Sequence, residues 1–596
     1  MLSGRHIGIV DVPGHEKLVH NMLAGVMAID YVLLVVAADD GPMQQTREHL
    51  ELLDLLGLTQ GAVALTRIDV VPGERRLRAQ QEISELLDNT SLADSPIFPV
   101  SGQTGEGVVA LRTHLETTAI NFQRPPTGGH FRMAIDRCFS LTGVGTVVTG
   151  TALNGDITVD DKVVIAPAGF KARVRGLHVQ DRPAEHGQSG ERCALAIKGD
   201  FGKQDIERGM WLVDSKLVRP LSRFQAELRV PAGQKSLKHM QSVHVHLGSD
   251  DILGRVSLLD CKTVQAGDTA LVEILLERDT LALRGDRFIL RDAGAQRTVA
   301  GGRVLDSFPP RRHKRTPQRL ALLDAMRNDD PAVSLALLAE QSETGVDLAC
   351  FTLSWNLAQA EAETLWQQCE LRVLQDGDAT IGITSQAWAQ LRRTLLGMLA
   401  EEHERAPDMI GVEPERLRRM ISVSLSHSLF QSLVDELLSD KSLVRTRSWL
   451  HLPEHRASIS TDDYELFAEF RPLLEASPFN PPRVRDIHHS SGTPEYEVRQ
   501  LFRRLARAGE LYPVAKDHYF TADAVAALAQ IVQQLNEEQG AARASAFRDI
   551  IFADGSGGRK VAIRILEFFD RIGYTRRVHD DHLLRQRETV HQWTSC

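Results

Sequence analysis

Six cysteines in 596 residues, none in a Cys-x-x-Cys pair, argue against a zinc ribbon or a disulfide framework. A reducing, cytosolic compartment is the expected setting. No run of 18 apolar residues occurs, and the N-terminus lacks the basic, apolar and small-residue order of a signal peptide, so neither a membrane span nor secretion is expected. An excess of positive charge is missing too. Lys and Arg total 69 against 79 Asp and Glu, a net charge of −10, so the whole chain is not a polycation that grips nucleic acid along its length. Any contact with nucleic acid must be local.

What is present is ordinary for globular protein, 42% hydrophobic and 25% charged residues, and a chain this long is expected to hold several domains. Composition divides it into three blocks. From residue 5 to about 120, apolar runs at 6–10, 31–38, 61–65 and 96–100 read as buried strands, and 16–27, 44–57, 74–88 and 106–119 read as helices between them. Strict alternation implies a parallel sheet covered on both faces. QRPPTGG at 123–129 is the expected linker. From 130 to 310, short β-branched runs punctuated by glycine suggest two antiparallel barrels, divided near 218–222. After FPPRRHKRTPQR at 308–319, groups of helices followed by a hairpin recur about every 65 to 75 residues, with hairpins expected at 370–383, 441–452, 509–520 and 573–585. The expected domains are therefore seven: 1–122, 130–218, 219–310, 316–384, 385–455, 456–522 and 523–596.

IVDVPGHEKLVHNMLAGV at 9–26 carries the densest chemistry. A carboxylate, Asp11, follows a strand, a Pro-Gly turn follows it, and a helix is expected from Glu16, the arrangement that places ligands at the carboxyl end of a parallel sheet. Gly14 lets its amide approach a terminal phosphate, Asp11 suits Mg²⁺ directly or through water, and His15 stands where it can orient an attacking water. ALTRIDVV at 64–71 sets Thr66, Arg67 and Asp69 on the next loop, where an aspartate can accept two N–H groups from a guanine edge. VSGQTGEG at 100–107 does the same for Ser101 and Gly102, which can close over the base. Each loop alone is a weak signal; three in order at strand ends are strong.

These three motifs resemble the later motifs of translational GTPases of the elongation-factor-Tu superfamily. IDRCFSLTGVGTVVTGTALNG at 135–155 and Arg208-Gly209 extend the likeness into its two β-barrels, and the whole chain is similar to its selenocysteine-specific branch. The resemblance implies a multidomain chain: an incomplete α/β P-loop-type GTPase domain, two antiparallel barrels, then tandem winged-helix domains. It implies a GTPase with GTP and Mg²⁺ as cofactors, delivering selenocysteinyl-tRNA to the ribosome at UGA codons while bound to an mRNA hairpin (SECIS), as a cytoplasmic monomer without a membrane role. By the same resemblance Asp11 and Gly14 serve Mg²⁺ and the γ-phosphate, His15 the hydrolytic water, and Thr66, Arg67, Asp69, Ser101 and Gly102 surround the guanine. Arg67 departs from the family's lysine, keeping the cation but changing the head group. Asp136, Arg137 and Arg192 match the aminoacyl pocket, where a guanidinium pair would favour an anionic selenol over serine. The plain alternative is a surface ion pair on a strand.

The last unit differs from the acidic whole. Residues 541–596 hold nine Arg and one Lys against seven Asp and Glu, a local net charge of +3. Arg559 and Lys560 stand at the start of an expected helix, and Arg576 and Arg577 on the expected wing, a compact footprint for an RNA backbone. One departure is marked. No G-x-x-x-x-G-K-[ST] occurs anywhere and ten residues precede Asp11, so the phosphate loop and first switch are expected to be missing. A misassigned start, a disrupted gene, and a chain that has lost GTPase activity and acts as an RNA-binding protein all fit this; a general aminoacyl-tRNA carrier is a further alternative.

Overall fold

The computed structural model describes residues 8–11, 29–88, 90–122, 128–377, 379–407, 409–421, 425–446, 448–455, 461–553 and 558–585. The chain divides into two compact units, residues 1–374 with 379–384, and residues 375–378 with 385–596.

Parallel strands need crossovers, and the first 120 residues supply them. β1 (Val32–Ala37), β2 (Gly61–Thr66) and β3 (Ile97–Pro99) form a parallel sheet in that order, pairing Val32 with Gly61 and Val63 with Ile97. α1 (Gln44–Leu55) and α2 (Gly73–Leu87) connect them, and α3 (Val108–Asn121) follows β3. The central strand β2 is buried from Gly61 to Leu65, as its unbroken apolar run requires, while β1 alternates, with Val32, Leu34 and Val36 buried and Leu33 and Val35 exposed. The buried strand expected at 6–10 is not found over its described part: residues 8–10 are coil, with Ile9 90% and Val10 51% exposed. An apolar run becomes a strand only where a neighbouring edge takes up its N–H and C=O groups. Among the described residues β1 is paired on one side alone, by β2. The helix expected at 16–27 lies outside the described residues.

Two closed antiparallel barrels follow. In the first, Phe170–Val179, Arg192–Gly199, Gly145–Asn154, Arg132–Ala134, Trp211–Val213 and Lys162–Ala166 pair in a ring, and Arg137–Leu141 adds to the edge of Gly145–Asn154. In the second, Leu221–Arg229, Thr269–Thr280, Asp250–Leu258, Gln241–Leu247, Arg287–Asp292 and Thr298–Asp306 close the ring around Phe224, Val245, Val272 and Phe288. Helix α1 docks on this second barrel. A Cβ on Gly301 would meet the Leu55 Cβ at 2.8 Å, so the glycine lets the helix approach, and Asp54 pairs with Arg229 beside it.

The C-terminal region consists of four sets of helices, each ending in a hairpin. The first runs Pro317–Ala325, Pro331–Gln341, Leu348–Ser354 and Gln359–Gln368, then the hairpin Arg372–Asp376/Ala379–Ile383. One helix is expected over 350–369; two are found, because Asn356 takes a left-handed φ of 53° and its amide is engaged elsewhere. The other sets are Ser385–Arg405, Pro414–Met420 and His427–Ser439 with Val444–Thr446/Trp449–His451; Thr461–Glu475, Val484–Ser491 and Glu495–Arg507 with Leu511–Ala515/His518–Thr521; and Ala522–Gln539, Ala544–Ile551 and Arg559–Arg571 with Thr575–Val578/Asp581–Leu584. The last long helix shows the rule that forms them: Ala562, Ile565, Leu566 and Phe569 recur at helical spacing, and all four are buried. No described helix is long and apolar enough to cross a membrane.

Candidate functional site

The loops after β2 and β3 meet at the carboxyl end of the parallel sheet. Thr66 closes β2, and its hydroxyl donates to the Val36 carbonyl at 3.3 Å, tying β2 to β1. Arg67 then adopts a left-handed φ of 59°, turning the chain into a short 3₁₀ turn, Ile68–Val70, in which Ile68 is buried and Asp69 is exposed. Ser101, at the end of β3, is fully buried, and its Oγ accepts the N–H groups of Gln103 and Thr104 at 3.2 and 3.1 Å. A hydrogen bond from the Ser101 side chain, reinforced by local backbone and by the nearby Arg67 and Arg76, holds the Asp69 carboxyl below its ordinary range. The loop thus presents an ionised carboxylate with open acceptor sites, the group that paired N–H donors of a guanine edge require. Gly102 is exposed beside it with open space around its Cα.

One detail departs from the sequence reading. The Arg67 guanidinium is drawn to Asp39 at the end of β1, 2.8 Å away, and links the ends of two strands. Gly107, with φ of 74°, starts α3 so close to β3 that a Cβ there would lie 1.9 Å from the Pro99 carbonyl oxygen. Asp11 is exposed coil, whereas Gly14 and His15 lie outside the described residues. One carboxylate such as Asp11 suffices for a hard cation that keeps its waters, so the donor set fits Mg²⁺ held largely by water and phosphate.

On the first barrel, Arg137, Asp136 and Arg192 come together. Arg137 pairs across the sheet with Thr149, and Arg192 with Thr151, so side chains at these positions share one face. Asp136 is the focus: its Oδ1 accepts the Thr149 hydroxyl at 2.5 Å and its Oδ2 accepts Arg192 Nη1 at 2.6 Å. Arg192 is about half exposed, with 49% of its side-chain surface open. Arg137 is exposed and has no acidic partner among the described residues.

In the last unit, Arg559 and Lys560 open the helix Arg559–Arg571 and are exposed. Arg576 and Arg577 occupy successive positions of the strand Thr575–Val578 and therefore point to opposite faces. Arg577 turns toward Glu567 at 3.8 Å. Asp570 anchors the hairpin to the helix's far end, through Thr575 at 2.7 Å and His582 at 2.8 Å. Glu567 follows Arg559 by eight residues, so Arg577 meets the helix roughly 12 Å along it from the Arg559–Lys560 end.

Family models match this chain in five places: the elongation factor Tu GTP binding domain over 2–121, elongation factor Tu domain 2 over 145–213, the selenocysteine-specific elongation factor beta-barrel domain over 223–311, and the elongation factor SelB winged helix over 396–452 and again over 533–584. The selenocysteine-specific elongation factor of Escherichia coli (strain K12) is 37% identical over 587 residues, which cover 98% of this chain and 91% of that protein. The chain belongs to the selenocysteine-specific elongation factor family. The family's proteins from Haemophilus influenzae and Desulfomicrobium baculatum are 32% and 31% identical, each over 98% of this chain and 92% of the relative. A crystal structure of bacterial selenocysteine-specific elongation factor EF-Sec shares the fold, with a TM-score of 0.58 at 20% identity over 97% of this chain and 90% of that one.

As a member of the selenocysteine-specific elongation factor family, the chain is a translational GTPase with a guanine-nucleotide domain at its start, two barrels and tandem winged helices. Sequence reasoning missed Thr149, a neutral residue in a β-branched run whose one signal was its place opposite Arg137. It also missed Asp39, the partner of Arg67, which pairs with it only because two parallel strands end side by side.

Proposed function

We propose that this chain delivers selenocysteinyl-tRNA to the ribosome at UGA codons in a GTP-dependent manner, as a monomer, while its last winged helix holds an mRNA hairpin (SECIS). The observation that carries the reading is the Asp136 carboxylate clamped between Thr149 and Arg192, with Arg137 beside it on the open barrel face. Asp136 neutralises Arg192 and fixes it, which leaves Arg137 without an acidic partner among the described residues. A selenol is anionic at neutral pH, where a serine hydroxyl and an ordinary cysteine thiol are protonated. A fixed guanidinium on an open face therefore favours the selenocysteinyl ester over the seryl one.

The nucleotide loops support the GTP-dependent half. Asp69 would accept the guanine N–H groups, Ser101 would hold Asp69 ionised, and Thr66, Gly102 and the aliphatic stem of Arg67 would border the ring. Asp11, through water, and Gly14 would serve Mg²⁺ and the terminal phosphate, and His15 the attacking water. Bound GTP with Mg²⁺ would supply the phosphoanhydride whose hydrolysis ends the delivery step. Arg559 and Lys560 at a helix N-terminus, with Arg576 on the outer face of the wing, would take the hairpin's phosphates.

The test compares equilibrium binding of selenocysteinyl-, cysteinyl- and seryl-tRNA on one tRNA body, with and without GTP. Tighter binding of the selenocysteinyl form that grows with GTP is expected; equal affinity for all three would sink the reading.

A further inference from the structure

Between the second barrel and the first winged-helix domain the chain reads Arg311-Arg312-His313-Lys314-Arg315-Thr316. This segment and the strand Asp250–Leu258 enclose an open cleft of about 500 Å³, lined by residues 311–316 with Ser257 and Leu259. The backbone is pinned at both ends. Arg223 donates to the Pro309 carbonyl at 3.1 Å, and buried Arg319 bonds Gln225 at 2.9 Å and pairs with Asp306. Lys314 is anchored as well, its Nζ 2.5 Å from Glu273, whose carboxylate is buried.

The remaining cations are not compensated. Arg311 and Arg312 are exposed and have no acidic partner among the described residues. Arg315 lies 3.2 Å from the His239 ring, a basic neighbour. Arg255 is exposed two positions before Ser257, hence on the same strand face and about 7 Å along it. Asp260, adjoining Leu259, has its carboxylate engaged by the Leu271 N–H at 3.0 Å. Arg311, Arg312 and Arg315 therefore line one concavity with like charge, with Arg255 along the neighbouring strand, on a chain whose net charge is −10.

The lining decides the class of partner. An acidic protein would need an apolar anchor point at the centre of such a surface, and the one apolar side chain here, Leu259, is itself buried. Guanidinium forks match phosphate oxygens, and a pinned backbone loses little freedom on binding. RNA stems are gripped through shape and phosphate contacts. We infer that this cleft is a second RNA-backbone site, taking phosphodiester groups of an A-form stem, separate from Arg559 and Lys560. It rests on the reading above only in making RNA the partner.

The experiment titrates the full chain with a blunt RNA duplex of about 16 base pairs over a range of salt concentrations, comparing wild type, Arg311→Gln/Arg312→Gln, Arg311→Lys/Arg312→Lys and Arg559→Gln/Lys560→Gln. The first double variant is expected to weaken binding about tenfold at low salt and to reduce the slope of log K against log salt by roughly two, at about 0.9 per phosphate contact. The lysine variant should retain most of that slope. An unchanged slope in the glutamine variant overturns the proposal. So does displacement of the duplex by millimolar inorganic phosphate, which would assign the cleft to a free anion, or equal binding of a polyglutamate peptide, which would assign it to an acidic protein. If selenocysteinyl-tRNA preference fails while the slope still falls, the delivery reading is lost and this site stands. If the preference holds with an unchanged slope, this site alone is lost.

Discussion

Asn356 exchanges two hydrogen bonds with the backbone of His130: its Nδ2 donates to the carbonyl and its Oδ1 accepts the N–H, each at 2.9 Å. The neighbouring Trp355 lies under the Arg284 guanidinium at 3.8 Å, and the Arg284 N–H donates to the Ser354 carbonyl at 3.0 Å. The break between two helices is thus a joint that ties both barrels to the first set of helices and hairpin. Asn356 is 6% exposed, so removing its amide leaves two backbone groups without partners. Asn356→Ala is expected to cost about 2 kcal/mol in urea unfolding of residues 1–384. An unchanged midpoint would show that the joint adds nothing to stability.

Arg137 stands beside the Asp136–Arg192 pair and has no acidic partner among the described residues. Loss of one charge-assisted contact is worth about 1.5–3 kcal/mol, so Arg137→Gln should cut the preference for selenocysteinyl- over seryl-tRNA by roughly ten- to a hundredfold. Seryl-tRNA affinity should barely change. Equal weakening toward both would assign Arg137 to the tRNA body.

His403 governs a pH response in the second winged-helix domain. Its ring stacks on His455 with centroids 3.5 Å apart, and its Nε2 accepts the Leu452 N–H at 3.2 Å, which a neutral ring alone can do. Burial, then the neighbouring His455 and His451, push its pKa down to about 4. The unfolded chain binds the proton near pH 6.5, so stability is full above that value and is lost as pH falls toward 4. Protection from hydrogen exchange across 385–455, corrected for intrinsic rates, should drop between about pH 7 and pH 5, by on the order of 2 kcal/mol. His403→Gln should flatten that dependence; an equally steep profile would place the response elsewhere.

Arg559 and Lys560 carry the proposed hairpin contact. In the full chain, Arg559→Gln/Lys560→Gln should weaken hairpin binding and lower its salt slope by roughly one to two. Unchanged affinity at moderate salt would move the hairpin site off this helix.

Local pattern determined most of this architecture. The unbroken run in β2, the β-branched runs of the barrels and the helical spacing of Ala562, Ile565, Leu566 and Phe569 each state a burial requirement that a few consecutive residues can meet. The order of Asp69 and Ser101 on successive loops was equally legible, because a parallel sheet brings its strand ends to one edge. Tertiary structure alone decided the rest. Whether residues 8–10 become a strand depends on a neighbouring edge, and whether 350–369 forms one helix depends on His130, more than 200 residues away. Arg67 chose Asp39, Thr149 joined Asp136, and the basic run 311–315 met the end of the strand Asp250–Leu258 because pairing, register and docking bring distant residues together, and no local pattern encodes those distances.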